Sequence, residues 1–326
     1  MTPESPAPLV FVGGTGRSGT HVVAHLLGRH SRFHAVPIEC RFHCNPKGLA
    51  DVAEERTTPE DFVTKLRNFW WHRVRVGERA TVRLRKLAGA RLPDAGQKVR
   101  GLHKVVDADR FEAAVGRFEA EHSADLLEAS RRLFFDLLAP LAEAEAKPGL
   151  VEMSCFTIAS APGLQRIFPE ALFVHSVRDG RDSGSSKVSK RQKSHHPSDA
   201  LSGIEWWEER LRLAEHGFRE LHDHSRLHVV SLDELVWGDR EASYAGLLEF
   251  LSIADEPAMR GYFDAEMNAG AAHRERWREG LSDSAQGFVD SAYRDALRRI
   301  EAEGFHCAPL LRRAYERSGP APAEAT

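Results

Sequence analysis

The run Leu9-Val-Phe-Val-Gly-Gly-Thr-Gly-Arg-Ser-Gly-Thr20, continuing through His21 to Gly28, sets a short apolar strand before a glycine-rich turn and a helix. No other feature constrains the fold as much, because such a turn cradles a phosphate on backbone N–H groups at the positive end of a helix dipole. Gly14 and Gly19 stand at the two glycine positions of a P-loop, but Thr20 fills its lysine position and His21 its Ser/Thr position. A nucleoside triphosphatase needs that lysine on the β/γ-phosphates and that hydroxyl on Mg²⁺. The amides, the dipole and Arg17 remain, so the turn suits a phosphate-bearing donor used without Mg²⁺.

Further along, short β-rich runs recur at Leu9 to Val12, Gly149 to Met153, Ala171 to Val177 and Leu227 to Leu232. Each precedes a polar turn and a stretch with helical spacing, such as Leu201 to Leu221 with its apolar Ile204, Trp207, Leu211 and Ala214. Alternation of this kind implies an α/β fold, a P-loop-like parallel sheet flanked by helices, with sites at the carboxyl ends of the strands. Residues 51–147, rich in Arg, Ala, Leu and Glu, read as a helical insertion between the first and second strands of one domain spanning 1–317. The Pro- and Ala-rich tail 318–326 is expected to be disordered.

A net charge of −3 gives no bulk attraction to nucleic acid. The N-terminal residues lack a basic segment followed by an apolar one, and nothing resembles a membrane span, so a cytoplasmic protein is expected. Cys40, Cys44, Cys155 and Cys307 are too few and scattered for a disulfide framework in 326 residues. Cys40, His43 and Cys44 have no second ligand pair nearby, and no metal site is expected.

The second informative stretch is Leu172-Phe-Val-His-Ser-Val-Arg-Asp-Gly-Arg-Asp-Ser-Gly-Ser-Ser186-Lys. Its strand delivers Arg178 at the carboxyl end, and the following helix carries Ser186. A guanidinium and a hydroxyl so placed can share one phosphate, the arginine as a bidentate donor.

Together the two segments resemble the sulfotransferases that use 3′-phosphoadenosine 5′-phosphosulfate (PAPS). The resemblance implies that the loop, with Gly16, Arg17, Ser18, Gly19, Thr20 and His21, holds the 5′-phosphosulfate, and that Arg178 and Ser186 hold the 3′-phosphate. It is closest to the protein-tyrosine sulfotransferase branch, through Phe156-Thr157, Arg166-Ile-Phe-Pro169 and Val177-Arg-Asp-Gly-Arg181. A further segment, Arg274-Glu-Arg276-Trp277-Arg-Glu-Gly280, is similar to the one that closes over the nucleotide in that family. There Arg274 and Arg276 would meet phosphate and Trp277 would offer a stacking face. The similarity spans roughly residues 9–41 and 149–280 and does not extend through the helical insertion.

Sulfonate transfer requires a base for the acceptor proton and cations for charge on the sulfonate and leaving phosphate. Glu39-Cys40-Arg41 matches the Glu-x-Arg spacing of the tyrosyl branch to within one residue, which makes Glu39 the candidate base, with Arg41 and Arg17 beside it. Glu152 is an alternative base. The branch carries a lysine near the leaving group where this chain has Met153, so Arg17 or Lys187 would take over its work. The acceptor is expected to be a hydroxyl of a small molecule or glycan. Trp70, Trp71 and the arginines from Arg73 to Arg91 are candidate acceptor contacts, and His195 and His196 read first as loop residues. A P-loop kinase or NTPase-like nucleotide-binding protein is the alternative function. The oligomeric state is left open.

Overall fold

A computed structural model describes residues 8–72, 101–189, 197–270 and 274–318. The chain runs β1 (Leu9–Gly14), α1 (Thr20–Leu27), β2 (Phe33–Ala35), α2 (Leu49–Ala53), α3 (Pro59–Lys65), α4 (Ala108–Glu121) and α5 (Leu126–Glu143). It continues with β3 (Gly149–Glu152), α6 (Ala161–Ile167), β4 (Leu172–Val177), α7 (Gly180–Val188), α8 (Ala200–Arg219) and β5 (Leu227–Ser231). The remaining helices are α9 (Leu232–Val236), α10 (Arg240–Leu251), α11 (Pro257–Glu266), α12 (Asp283–Ala302) and α13 (Ala308–Ser318).

The strands form one parallel sheet in the order β2-β3-β1-β4-β5. Four of them match the expected runs. β2 is additional: three residues at the sheet edge, too short and too polar at His34 to announce themselves. The insertion therefore enters after β2 rather than after the first strand. Its described parts are helical, while 73–100 lie outside the described residues.

β1 is buried along its whole length because it sits at the centre of the sheet with both faces covered. Its side chains alternate between two cores. Leu9 and Phe11 join Phe62, Phe111 and Phe134 of the insertion helices, with Phe11 and Phe134 5.7 Å apart between ring centroids. Val10 and Val12 point the other way, to Val23 of α1, Leu247 of α10 and Phe263 of α11.

A third cluster gathers Ile204, Trp207 and Leu211 of α8 with Tyr293 and Leu297 of α12 beside the end of β4. The apolar stripe expected on α8 is thus its buried face, and a capping box between Asp199 and Ser202 starts the helix. α7 crosses α8 where Gly184 meets Gly203. A Cβ on Gly184 would lie 2.6 Å from the Gly203 carbonyl carbon, so only glycine allows this approach. That crossing fixes Ser186 and Lys187, one turn further along α7. The last helix runs through Ser318, one residue into the segment expected to be disordered, and 319–326 lie outside the described residues.

Candidate active site

The glycine-rich turn leaves the carboxyl end of β1 through Gly16, Arg17 and Gly19, whose φ angles are 85°, 63° and 94°. Gly14 is required by proximity: a Cβ there would lie 2.3 Å from the Ser176 carbonyl oxygen of β4. Ser176 Oγ in turn donates to the Ser18 carbonyl at 2.6 Å, which ties the loop to the neighbouring strand. Thr20 is buried, whereas the His21 side chain is 59% exposed. The positions that hold the lysine and the Mg²⁺ hydroxyl in a nucleoside triphosphatase therefore supply neither group. Ser18 Oγ is buried with no hydrogen-bond partner among the described residues, a polar atom waiting for one at the turn itself.

On one side of the loop, Arg17, Arg178, Asp182, Ser186, Arg276 and Trp237 line a cleft of about 430 Å³. Arg17 Nε donates to Ser186 Oγ at 2.9 Å, so the loop arginine and the α7 hydroxyl already meet. The Arg178 guanidinium lies 3.4 Å from Asp182, which holds it at the cleft wall. Asp182 also accepts from the backbone N–H groups of Glu275 and Trp277 at 3.0 and 3.4 Å, which stitches the C-terminal segment to α7. Burial raises the Asp182 carboxyl above its ordinary range despite the charge of Arg178.

Trp277 does not offer the stacking face expected of it. It is 2% exposed and lies under the Arg181 and Arg278 guanidiniums, 4.9 and 4.4 Å from the ring centroid, because the segment turns inward to anchor itself. Arg181 is itself buried, paired with Asp179 and Asp290 at 2.6 Å and packed against Tyr293 and Tyr315. The aromatic residue at the cleft is Trp237, which sequence reasoning passed over. It follows α9 at the carboxyl side of the sheet, and the Arg274 guanidinium lies 5.8 Å from its ring centroid. Arg276 lines the cleft directly.

On the other side of the loop stands the Glu39–Arg41 pair. Arg41 Nε donates to Glu39 Oε2 at 2.8 Å, with a second, shorter contact from its terminal nitrogen. His21 Nε2 lies 3.4 Å from Glu39 Oε1, and Cys155 Sγ donates to the same oxygen at 3.4 Å. Burial raises the Glu39 carboxyl, but hydrogen bonds and charge from His21 and Arg41 outweigh it and hold the group well below the usual carboxylate range. Glu39 is accordingly ionised. Burial and then the nearby carboxylate charge of Glu39 push the Cys155 thiol up to about 12, so it stays protonated and donates.

The bend at Arg41, with φ 65°, is held from beneath by Glu152. Glu152 is 0% exposed and accepts from Cys40 N, Ser154 N and Ser154 Oγ at 3.1, 2.9 and 2.7 Å. It also contacts His43 Nε2 at 2.9 Å. Burial opposes charge on His43, yet Cys44 and Glu152 push it up to about 10. Glu152 thus orients Glu39 and Arg41 and cannot meet an acceptor, which removes it as the alternative base. Met153 likewise faces away, into the core with Val10 and Val12, so that position brings no group to the site at all. Lys187 reaches the loop instead, in a smaller cleft that also contains Gly14, Gly16 and Arg41.

Of the expected acceptor contacts, Trp70 and Trp71 line neither cleft. Trp70 is buried among the insertion helices and Trp71 packs on Phe111 with centroids 4.2 Å apart. Arg73 to Arg91, His195 and His196 lie outside the described residues. Cys40, Cys44 and Cys307 are buried and form no disulfide among the described residues.

The model of the sulfotransferase family matches residues 8–257, and the chain belongs to that family. Sulfonate transfer is therefore its class of reaction. The match takes in the loop, Glu39, Arg178 and Ser186 and stops before Arg274. Among curated proteins none matches the chain. Similar solved structures include a sulfotransferase domain from the curacin biosynthetic pathway, with 14% identity, 91% of this chain and 98% of that one covered, and a TM-score of 0.48. A sulfotransferase domain from the Synechococcus PCC 7002 olefin synthase has 14% identity, coverage of 90% and 97%, and a TM-score of 0.45. A sulfotransferase from Mycobacterium avium has 16% identity, coverage of 90% and 76%, and a TM-score of 0.45. Among the described residues no helix is long and apolar enough to cross a membrane.

Proposed function

We propose that this sulfotransferase takes its sulfonate from PAPS and delivers it to a hydroxyl of a small-molecule or glycan acceptor, with site chemistry like that of the protein-tyrosine branch. One observation carries the reading: Arg17, Arg178, Ser186 and Arg276, drawn from three separate segments, line a single cleft that ends at the glycine-rich turn. In this reading Arg178 and Ser186 hold the 3′-phosphate, and the turn with Ser18 Oγ and Arg17 holds the 5′-phosphosulfate. Trp237 lies beside the adenine. PAPS supplies a sulfur already activated by a phosphate leaving group.

The acceptor oxygen bonds to sulfur as the bond from sulfur to the phosphate oxygen breaks, and adenosine 3′,5′-bisphosphate departs with the bonding pair. The hydroxyl proton passes to Glu39. Arg41 holds that carboxylate too acidic for an efficient base. A shift of Arg41 towards the transferring sulfonate would free Oε2 and raise the basicity of Glu39 as negative charge builds beside it. Lys187 and Arg17 stabilise the charge that develops on the sulfonate and the leaving phosphate.

A kinase or NTPase reading is disfavoured by Thr20 and His21, which give no lysine and no Mg²⁺ hydroxyl. The test is transfer of radiolabelled sulfonate from PAPS across a panel of phenols, alcohols and sugars, with and without chelator. Transfer indifferent to chelator and lost in Glu39→Gln supports the proposal. Absence of transfer to every acceptor class, with Mg²⁺-dependent ATP turnover in its place, would overturn it.

A further inference from the structure

A second cleft, of about 130 Å³, opens on the Glu39 side of the glycine-rich turn. Gly14, Gly16, Arg41, Phe156, Trp206 and Arg210 are among the residues that line it. Cys155 connects it to the base: the residue lines the cleft and its sulfur donates to Glu39 at 3.4 Å. A cavity of roughly 150 Å³ accommodates one benzene ring, so this space is of the size that takes a single six-membered ring.

The walls also have a distinctive charge. Arg210 lies with its guanidinium 4.7 Å from the Phe156 ring centroid, and Lys187 lies 4.9 Å from that of Trp206. Neither has a carboxylate partner among the described residues. Arg41, by contrast, is neutralised by Glu39. Burial, followed by the charge of Arg210, lowers the Lys187 ammonium, as a local excess of positive charge requires. Half-buried cations without a counter-ion cost free energy that a bound anion would relieve. Lys187 adjoins Ser186 of the donor cleft and is spoken for by the sulfonate. Arg210, one helix away on α8, is not.

We infer that the acceptor is a small hydroxylated compound built on one planar ring with an anionic substituent such as a carboxylate, the ring lying between Trp206 and Phe156 and the anion on Arg210. The anion is then read by a guanidinium on the protein and the ring by aromatic faces, with the hydroxyl directed inward to Glu39. This rests on the proposed function only in taking that hydroxyl as the group sulfonated.

Equilibrium binding in the absence of donor tests it. Calorimetric titration with 4-hydroxyphenylacetate, its neutral amide and tyramine compares an anion, a neutral group and a cation on the same ring. The carboxylate should bind roughly ten- to a hundredfold more tightly than the amide, as a charge-assisted hydrogen bond implies, with tyramine weakest. In Arg210→Gln the carboxylate and the amide should bind alike, and Trp206→Ala should weaken all three together. Adenosine 3′,5′-bisphosphate, titrated into the same variants, should keep its wild-type affinity. No preference for the anion in the wild type, or a preference that survives Arg210→Gln, would overturn the inference. So would binding of a tyrosine-containing peptide in place of the free ring compounds. Failure of the bisphosphate to bind would instead refute the donor assignment and leave the acceptor result intact.

Discussion

Replacing Arg178 by Met preserves side-chain length and removes the charge, and two separate effects follow from its surroundings. The first is on binding. Arg178 is 13% exposed at the cleft wall, where the proposed function has it donate two hydrogen bonds to the 3′-phosphate. Hydrogen bonds to charged groups contribute about 1.5–3 kcal/mol each, and part of that is already used on Asp182. The loss should be about 2–4 kcal/mol, or roughly 30- to 1,000-fold in affinity for adenosine 3′,5′-bisphosphate. Adenosine 5′-phosphate lacks the group concerned and should bind as before.

The second effect is on stability. Asp182, 3% exposed and 3.4 Å from Arg178, loses its partner. Its two backbone donors and its upward-shifted carboxyl soften the loss, which should be about 1–3 kcal/mol. Adding Asp182→Asn removes the stranded charge and keeps an oxygen for one of the Glu275 and Trp277 N–H groups, which donate to different carboxylate oxygens. The double variant should regain stability and not affinity. Calorimetric titration of both nucleotides into wild type, Arg178→Met and the double variant separates the two effects. Equal losses for the two nucleotides, or affinity restored by Asp182→Asn, would refute the assignment of Arg178 to the 3′-phosphate.

Three more outcomes are expected. Glu39→Gln should lower kcat by about 10²- to 10⁴-fold with bisphosphate affinity nearly unchanged, while His21→Ala should cost less than about tenfold; equal losses would mean that His21 takes the proton and Glu39 orients it. Burial, and then the charge of Asp179, push the Asp233 carboxyl up to about 7. A carboxyl raised on folding contributes stability that is complete below its unfolded value and is lost as pH rises through its folded value. Asp233→Asn, which keeps an acceptor for Asp179 N, should therefore stabilise the protein at pH 8 relative to pH 5, on the order of 2 kcal/mol. Equal changes in Tm at both pH values would contradict this. Glu152→Gln leaves a buried imidazolium at His43 and should cost about 3–5 kcal/mol in urea unfolding. With His43→Leu added the cost should fall well short of the sum, and strict additivity would count against the pairing.

The parts of the site that are local in sequence were readable there. The turn from Gly14 to Thr20 needs its glycines for backbone reasons, and Arg178 and Ser186 sit at fixed places on one strand–helix unit. Glu39 and Arg41 were reached through the resemblance alone, since nothing in a lone Glu-x-Arg foretells the buried Glu152–His43 support beneath it. Trp277 looked like a ligand face because basic residues flank it. Arg278 and the distant Arg181 cover the ring, and only the path of the C-terminal segment shows which way it turns. The acceptor cleft was not legible at all. Helical spacing correctly assigned Trp207 to the core, but its neighbour Trp206 faces Gly16 only because Gly184 lets α7 press against α8. Phe156 and Arg210 are 54 residues apart in the chain and meet only after folding.

The central claim, that this cleft holds an adenosine 3′-phosphate 5′-phosphosulfate rather than a nucleoside triphosphate, is tested most directly by calorimetric titration of adenosine 3′,5′-bisphosphate and of ATP with Mg²⁺ into the wild-type protein. The account predicts one bisphosphate per chain, bound without metal and unaffected by chelator, and weak or no binding of ATP·Mg²⁺. Tight ATP·Mg²⁺ binding with no response to the bisphosphate would contradict it.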